Sequence, residues 1–237
     1  MSRRIRSGSR DDQLGWLGAT VLITLFVWHS PLAIVLYPFT LLATWFHEMG
    51  HGMFSLLVGA RFEQLVILPD GSGYTQTLRP SDMSAFGSAF ISAGGPLGPA
   101  IAGGLLIIAS RWQRSSGIAL LSLAAALFAS VLMVVSGMTG WIVLPLLGLA
   151  ILAVLKFGSV RQRQFTLQFL GLQACISTYT NLGYLFSQGG VMIGGANLSD
   201  TEQMSQALIL PYWFWGGTLT IVIAAIIAGS LWFAYRR

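Results

Sequence analysis

From Leu14 to Val58 the chain carries a single charged residue, Glu48, and this run limits the possible folds more than any other feature. Apolar segments of about 18 residues or more are too long for an ordinary core helix and match a bilayer, which a helix crosses in about 20 residues. The run is too long for one crossing. Pro31, in "WHSPL", lacks the backbone N–H that a helix interior needs and divides the run in two. Similar runs recur, giving spans near 14–30, 32–58, 85–109, 116–136, 138–156, 165–187 and 211–235. The expected fold is mainly α: a polytopic membrane protein with about seven transmembrane helices, in one integral-membrane domain over 1–237.

Composition agrees, with 54% hydrophobic and 9% charged residues. The net charge of +5 does not indicate nucleic acid, because the basic residues sit in short clusters between apolar runs and therefore bear on membrane orientation. Seven spans would set Arg3, Arg4, Arg6, Arg10, Arg61 and Arg79 against Arg111, Arg114, Lys156, Arg161, Arg163, Arg236 and Arg237, a near balance in which the N-terminal cluster favours a cytoplasmic N-terminus. "MSRRIRSGSRDD" reads as the flank of a retained anchor, not a cleaved signal. Cys175 is the single cysteine, so any metal site must use His, Asp or Glu.

Two segments are not spans. "RFEQLVILPDGSGYTQTLRP" has β-branched and aromatic residues around a turn-forming "PDGSG", predicting a β-hairpin over Arg61–Leu68 and Gly73–Leu78. After Gln188 comes the Gly-rich loop "SQGGVMIGGANLSD" and a short polar helix, "TEQMSQAL". Four spans separate the hairpin from this loop. Both should lie on one face, where the histidines of the second span can meet Asp200.

"WFHEMGHGM", Trp45 to Met53, places ionisable groups inside a span, where each costs several kcal/mol and marks a functional site by default. His47 and His51 are four residues apart, so a helix projects both imidazoles from one face about a turn apart. That spacing suits two ligands of one Zn²⁺. Glu48, next to the first ligand, is placed to act as general base on a water activated by the ion. A catalytic zinc usually has a third protein ligand, here from among His29, Asp11, Asp12, Glu63, Asp70, Asp82, Asp200 and Glu202. Asp70 suits a turn and Asp82 a helix cap. Asp200 has a cap reading too, with Ser199 and Glu202 forming an S-x-x-E box. Gly50, Gly52, Gly94, Gly95 and Gly98 read as close helix packing.

At this point the residues resemble a family. "FHEMGHGMFSLLVGARFEQLVILPDGSGYT", followed by "SAGGPLGPAIAGG", is similar to the site-2 protease family of intramembrane zinc metallopeptidases, particularly its compact bacterial branch. "FLGLQACISTYTNLGYL" and "LSDTEQMSQALILPYWFW" extend the resemblance over about residues 40 to 215. The resemblance implies a helical membrane core and a zinc endopeptidase of the bacterial inner membrane. Its substrate partner would be a membrane protein in the lipid bilayer, and it indicates no regulatory partner. It also implies His47 and His51 as zinc ligands, Glu48 as catalytic base and Asp200 as third ligand. The N-x-x-P-x-x-x-L-D-G pattern around that aspartate in better-studied members is missing here. A membrane hydrolase of lipid or lipidated peptide would need the same metal and water. A seven-span transporter or receptor is disfavoured, since no other carboxylate or basic residue lies in the interior of a predicted span, Lys156 being the last residue of its own.

Overall fold

A computed structural model of the chain describes residues 31–236 apart from 181, 193 and 194, together with Gly18, Leu22, Thr24 and Phe26. The predicted first span is thus, but for four residues, outside the described chain, as are Asp11, Asp12 and His29. Pro31 opens a short 3-10 turn, Pro31–Leu36, before helix α1, Tyr37–Leu57. Strands β1, Arg61–Ile67, and β2, Gly73–Leu78, follow. Next come α2, Ala85–Ala109, and α3, Gln113–Met133, then the two-residue strand β3, Val135–Ser136, and α4, Met138–Phe157. The remainder is α5, Val160–Thr180; the single turn α6, Leu182–Leu185; β4, Gly189–Met192; β5, Gly195–Leu198; α7, Asp200–Ala207; and α8, Tyr212–Tyr235.

Among the described residues four helices, α2, α3, α4 and α8, are long and apolar enough to cross a membrane. The expected count of seven is not confirmed by these four. Helix α1 has the length, but His47, Glu48, His51 and its threonines dilute its apolar character. Helix α5 begins on "VRQRQ", five residues before the expected span, and ends at Thr180 instead of continuing to 187. The single predicted hairpin is also an undercount, since β4 and β5 pair antiparallel within the segment read as a Gly-rich loop.

Helix α1 ends in a turn that aims the chain back along it. Gly59, at φ +80°, takes the left-handed conformation that glycine adopts without strain. Its N–H reaches Leu56 O at 3.3 Å while Ala60 N–H reaches Ser55 O at 2.9 Å, the paired bonds of a Schellman motif. Strand β1 therefore folds against α1, and its Leu65 and Ile67 are buried in one core with Leu41, Leu42 and Trp45. At the far end Tyr37 donates to Pro69 O and Thr44 to Gly71 O. The hairpin thus lies along α1 instead of projecting from its end. β1 is flanked by β2 and, in parallel register, by β3, so among the described residues β2 is left as a free edge.

Helix α2 is the central element and packs against α1, α5, α7 and α8. Ser84 caps it by accepting from Gly87 N–H at 3.1 Å, so Asp82 is not the cap residue expected. Its contact with α1 is glycine on glycine: a Cβ at Gly50 would stand 2.1 Å from Gly94 O and one at Gly98 2.3 Å from Phe46 O. Backbone cannot yield as a flexible side chain can. Gly50→Ala is accordingly expected to lower stability by about 1 to 3 kcal/mol, the usual cost of overpacking, measurable by unfolding in detergent micelles. Gly103 and Gly171 make a like contact between α2 and α5.

Candidate metal centre

A separation of four residues, about one helical turn, places His47 and His51 side by side, with ring centroids 5.0 Å apart. Asp200 comes to them from the far end of the chain. Its Oδ2 lies 3.2 Å from His47 Nε2 and its Oδ1 3.2 Å from His51 Nε2. One ligand atom from each residue lies within 4.8 Å of the other two.

Local bonding explains why Asp200 can reach. The cap of α7 is Ser199, whose Oγ accepts from Glu202 N–H at 3.1 Å and donates to Ser187 O at 2.5 Å. Thr201 donates to Leu185 O at 2.9 Å. Both hydroxyl residues are fully buried and pin the start of α7 to the segment after α5. Asp200, as first residue of the helix, keeps its carboxylate free of capping. Only half of the expected S-x-x-E box forms, because Glu202 Oε1 accepts from Gln206 at 3.3 Å instead of returning to Ser199.

Among the described residues, the other candidate ligands have local partners or are exposed. Glu63 pairs with Arg61 at 3.3 Å on the surface. Asp70 accepts from the Ser72 hydroxyl at 2.7 Å and the Ser72 N–H at 2.9 Å, bonds that hold its carboxyl below the usual carboxylate range. Asp82 is exposed.

The three converging residues suit one tetrahedral cation. Ligands 2.0 to 2.1 Å from a zinc stand about 3.3 Å from each other, close to both His–Asp separations. Asp200 Oδ2 is buried and accepts no hydrogen bond; its contact with His47 has the distance of one without the direction. A buried acceptor left so costs about 1 to 3 kcal/mol, and a cation facing all three atoms removes that cost. His51 Nδ1 lies 2.8 Å from Ile91 O. A carbonyl only accepts, so Nδ1 carries the hydrogen, and Nε2 is the ring nitrogen left for a cation beside Asp200. The packing leaves room for this arrangement at Gly95, where a Cβ would stand 2.2 Å from His51 Nε2 and 2.7 Å from His47 Nε2. Gly95 therefore differs from Gly94 and Gly98, whose packing role was expected. Gly52 clears the Phe62 ring of β1, 2.2 Å from its Cβ position.

Glu48 is buried, 5% exposed, and borders the same cavity of about 100 Å³ as the three residues above. Three further residues of this cavity carry no motif that would mark them in sequence. Tyr184, from the turn α6, lies on its wall. Gln203 accepts from Ser92 at 3.3 Å and donates to Leu198 O at 3.2 Å. Thr75, on β2, bonds Glu48. Asn181 and the Asn197 side chain, considered for oxyanion contact, lie outside the described residues.

A family model described as Peptidase M50B-like matches residues 17–230. No curated protein and no solved structure matches the chain.

Proposed function

The chain belongs to the Peptidase M50B-like family, which is the site-2 protease family of intramembrane proteases, and from that premise we propose that it is a zinc-dependent endopeptidase hydrolysing peptide bonds of membrane-embedded proteins. Its four apolar helices and its family mark it as an integral membrane protein. The observation that carries the reading is the convergence of His47, His51 and Asp200 with the Glu48 carboxylate on the wall of the same cavity.

His47, His51 and Asp200 would hold Zn²⁺, which when bound supplies Lewis acidity toward a carbonyl oxygen and a water. Glu48 takes the proton from the attacking water and returns it to the leaving amine. Tyr184, on the cavity wall, offers an O–H to the oxygen on which charge develops. The free edge of β2 suits an extended substrate, because a transmembrane helix must unwind before its peptide bonds are reachable and strand pairing satisfies the exposed backbone groups. A surface groove along β2 shares Thr75, Thr77 and Arg79 with the cavity, a route from edge to site. The N-terminal arginines support an N-terminus facing the cytoplasm of a bacterial inner membrane.

The test uses purified protein in liposomes with a single-span model substrate. Glu48→Gln is expected to keep its zinc while turnover falls by at least about 10²-fold, the scale of a lost general base. Undiminished turnover would remove Glu48 from the mechanism. Crosslinking of the same variant in native membranes should trap a membrane protein; capture of lipid alone would favour a lipid hydrolase.

A further inference from the structure

The base has a partner that the motif does not require. Thr75 Oγ1 lies 2.8 Å from Glu48 Oε2 and 2.9 Å from the Glu48 carbonyl oxygen. We propose that Thr75 is the positioning residue of the base: it holds Oε2, leaves Oε1 to the reacting water, and transmits substrate docking on the free edge strand to the catalytic carboxylate. This rests on Glu48 being the base, as proposed above.

Three observations carry it. Glu48 is buried, and among the described residues Thr75 is the side chain that donates to its carboxylate. One hydroxyl hydrogen faces two acceptors, and an anionic oxygen attracts it more strongly than a carbonyl does. The closeness of β2 to α1 is also built in. A Cβ at Gly73 would stand 2.8 Å from both Thr44 Cγ2 and Val66 O, and 3.1 Å from Glu48 Cγ, so glycine there lets the strand approach the helix that bears the base. Finally, β2 alternates: Gly73, Thr75 and Thr77 are half-buried while Tyr74, Gln76 and Leu78 are exposed. The inward row meets α1, while the backbone of the same strand has one side unpaired among the described residues. A strand added on that side would order β2, and with it the hydroxyl that sets the rotamer of Glu48.

An inward-facing threonine can merely satisfy its own hydroxyl, and the experiment separates that from positioning. Thr75→Val keeps the shape and the β-branch but removes the donor; Thr75→Ser keeps the donor. For each variant, zinc content and melting are measured, followed by kcat and KM per zinc-loaded molecule on the single-span model substrate in liposomes. The infrared carboxylate band of Glu48, located by difference against Glu48→Gln, is recorded in zinc-free protein. Thr75→Val is expected to shift that band and lower kcat by about 10- to 100-fold, the scale of a displaced reacting group, with KM nearly unchanged. Thr75→Ser should restore both. An unshifted band with unimpaired kcat in Thr75→Val overturns the proposal, as does a serine variant no better than valine. Glu48→Gln in the same assay distinguishes the failures. Full turnover there removes the reading on which the role of Thr75 rests, whereas an inactive Glu48→Gln beside an unimpaired Thr75→Val removes only that role.

Discussion

Gly95→Ala is expected to abolish zinc binding while leaving the helical core assembled. The added methyl would stand 2.2 Å from His51 Nε2, 2.4 Å from His51 Cε1 and 2.7 Å from His47 Nε2. Both imidazoles must move by roughly an ångström to restore ordinary contact, whereas a metal site tolerates only about 0.2 Å in its ligand distances. The obstacle meets side-chain ends, which can swing away, so the cost falls on the ligand geometry. Gly98→Ala makes the contrast, because its methyl meets the Phe46 carbonyl at 2.3 Å and should loosen the α1–α2 contact itself. Zinc per chain after dialysis against a weak chelator, beside melting of the zinc-free proteins, separates the two. Wild-type zinc in Gly95→Ala would show that the ion, if bound, is not held where these imidazoles point.

What was legible in the sequence depended on how local the determining pattern was. H-E-x-x-H is one turn of one helix, so periodicity alone put His47, Glu48 and His51 on a common wall. The span 85–109 coincides with α2 because no charged residue interrupts it. The hairpin was readable from "PDGSG", since turn chemistry and strand alternation reinforce each other. Helix α5 was shifted because "VRQRQ" is polar, and hydropathy cannot see a helix that continues past its apolar portion. Strands β4 and β5 were hidden by their glycines, which provide no alternation of side chains to read. The role of Gly95 could not be told from those of Gly94 and Gly98: glycines packing against backbone and a glycine clearing two imidazoles have the same sequence. Thr75 was no more distinctive, because an alternating "GYTQTL" describes any interfacial strand until its partner is known. Asp200 stood among eight candidates, and the choice depended on contacts across some 150 residues of chain that no spacing encodes. Its neighbours Ser199 and Thr201 bring it to the histidines, one by capping α7 in its place and both by anchoring it.

Asp200→Asn and Ser199→Ala should therefore have opposite effects, although the residues are adjacent. Asparagine keeps the size of the aspartate side chain and removes the anionic charge that attracts a divalent cation. One of its two acceptor positions becomes an N–H₂, facing an imidazole nitrogen 3.2 Å away. Zinc binding and turnover should be lost. Zinc-free stability should change little, since the cap hydrogen bond belongs to Ser199 and the buried Oδ2 that is altered accepts no hydrogen bond. Ser199→Ala removes that cap and the bond to Ser187, costing about 1 kcal/mol or more. It takes away no ligand, so the folded protein should still bind zinc, though with reduced affinity where α7 is loosened. Asp70→Asn and Asp82→Asn complete the series. The first disturbs a turn bonded to Ser72 and the second an exposed residue ahead of the α2 cap, so both should keep zinc. If Asp200→Asn retains the metal and either control loses it, the ion is held from the hairpin side and the convergence of Asp200 on the histidines serves packing alone.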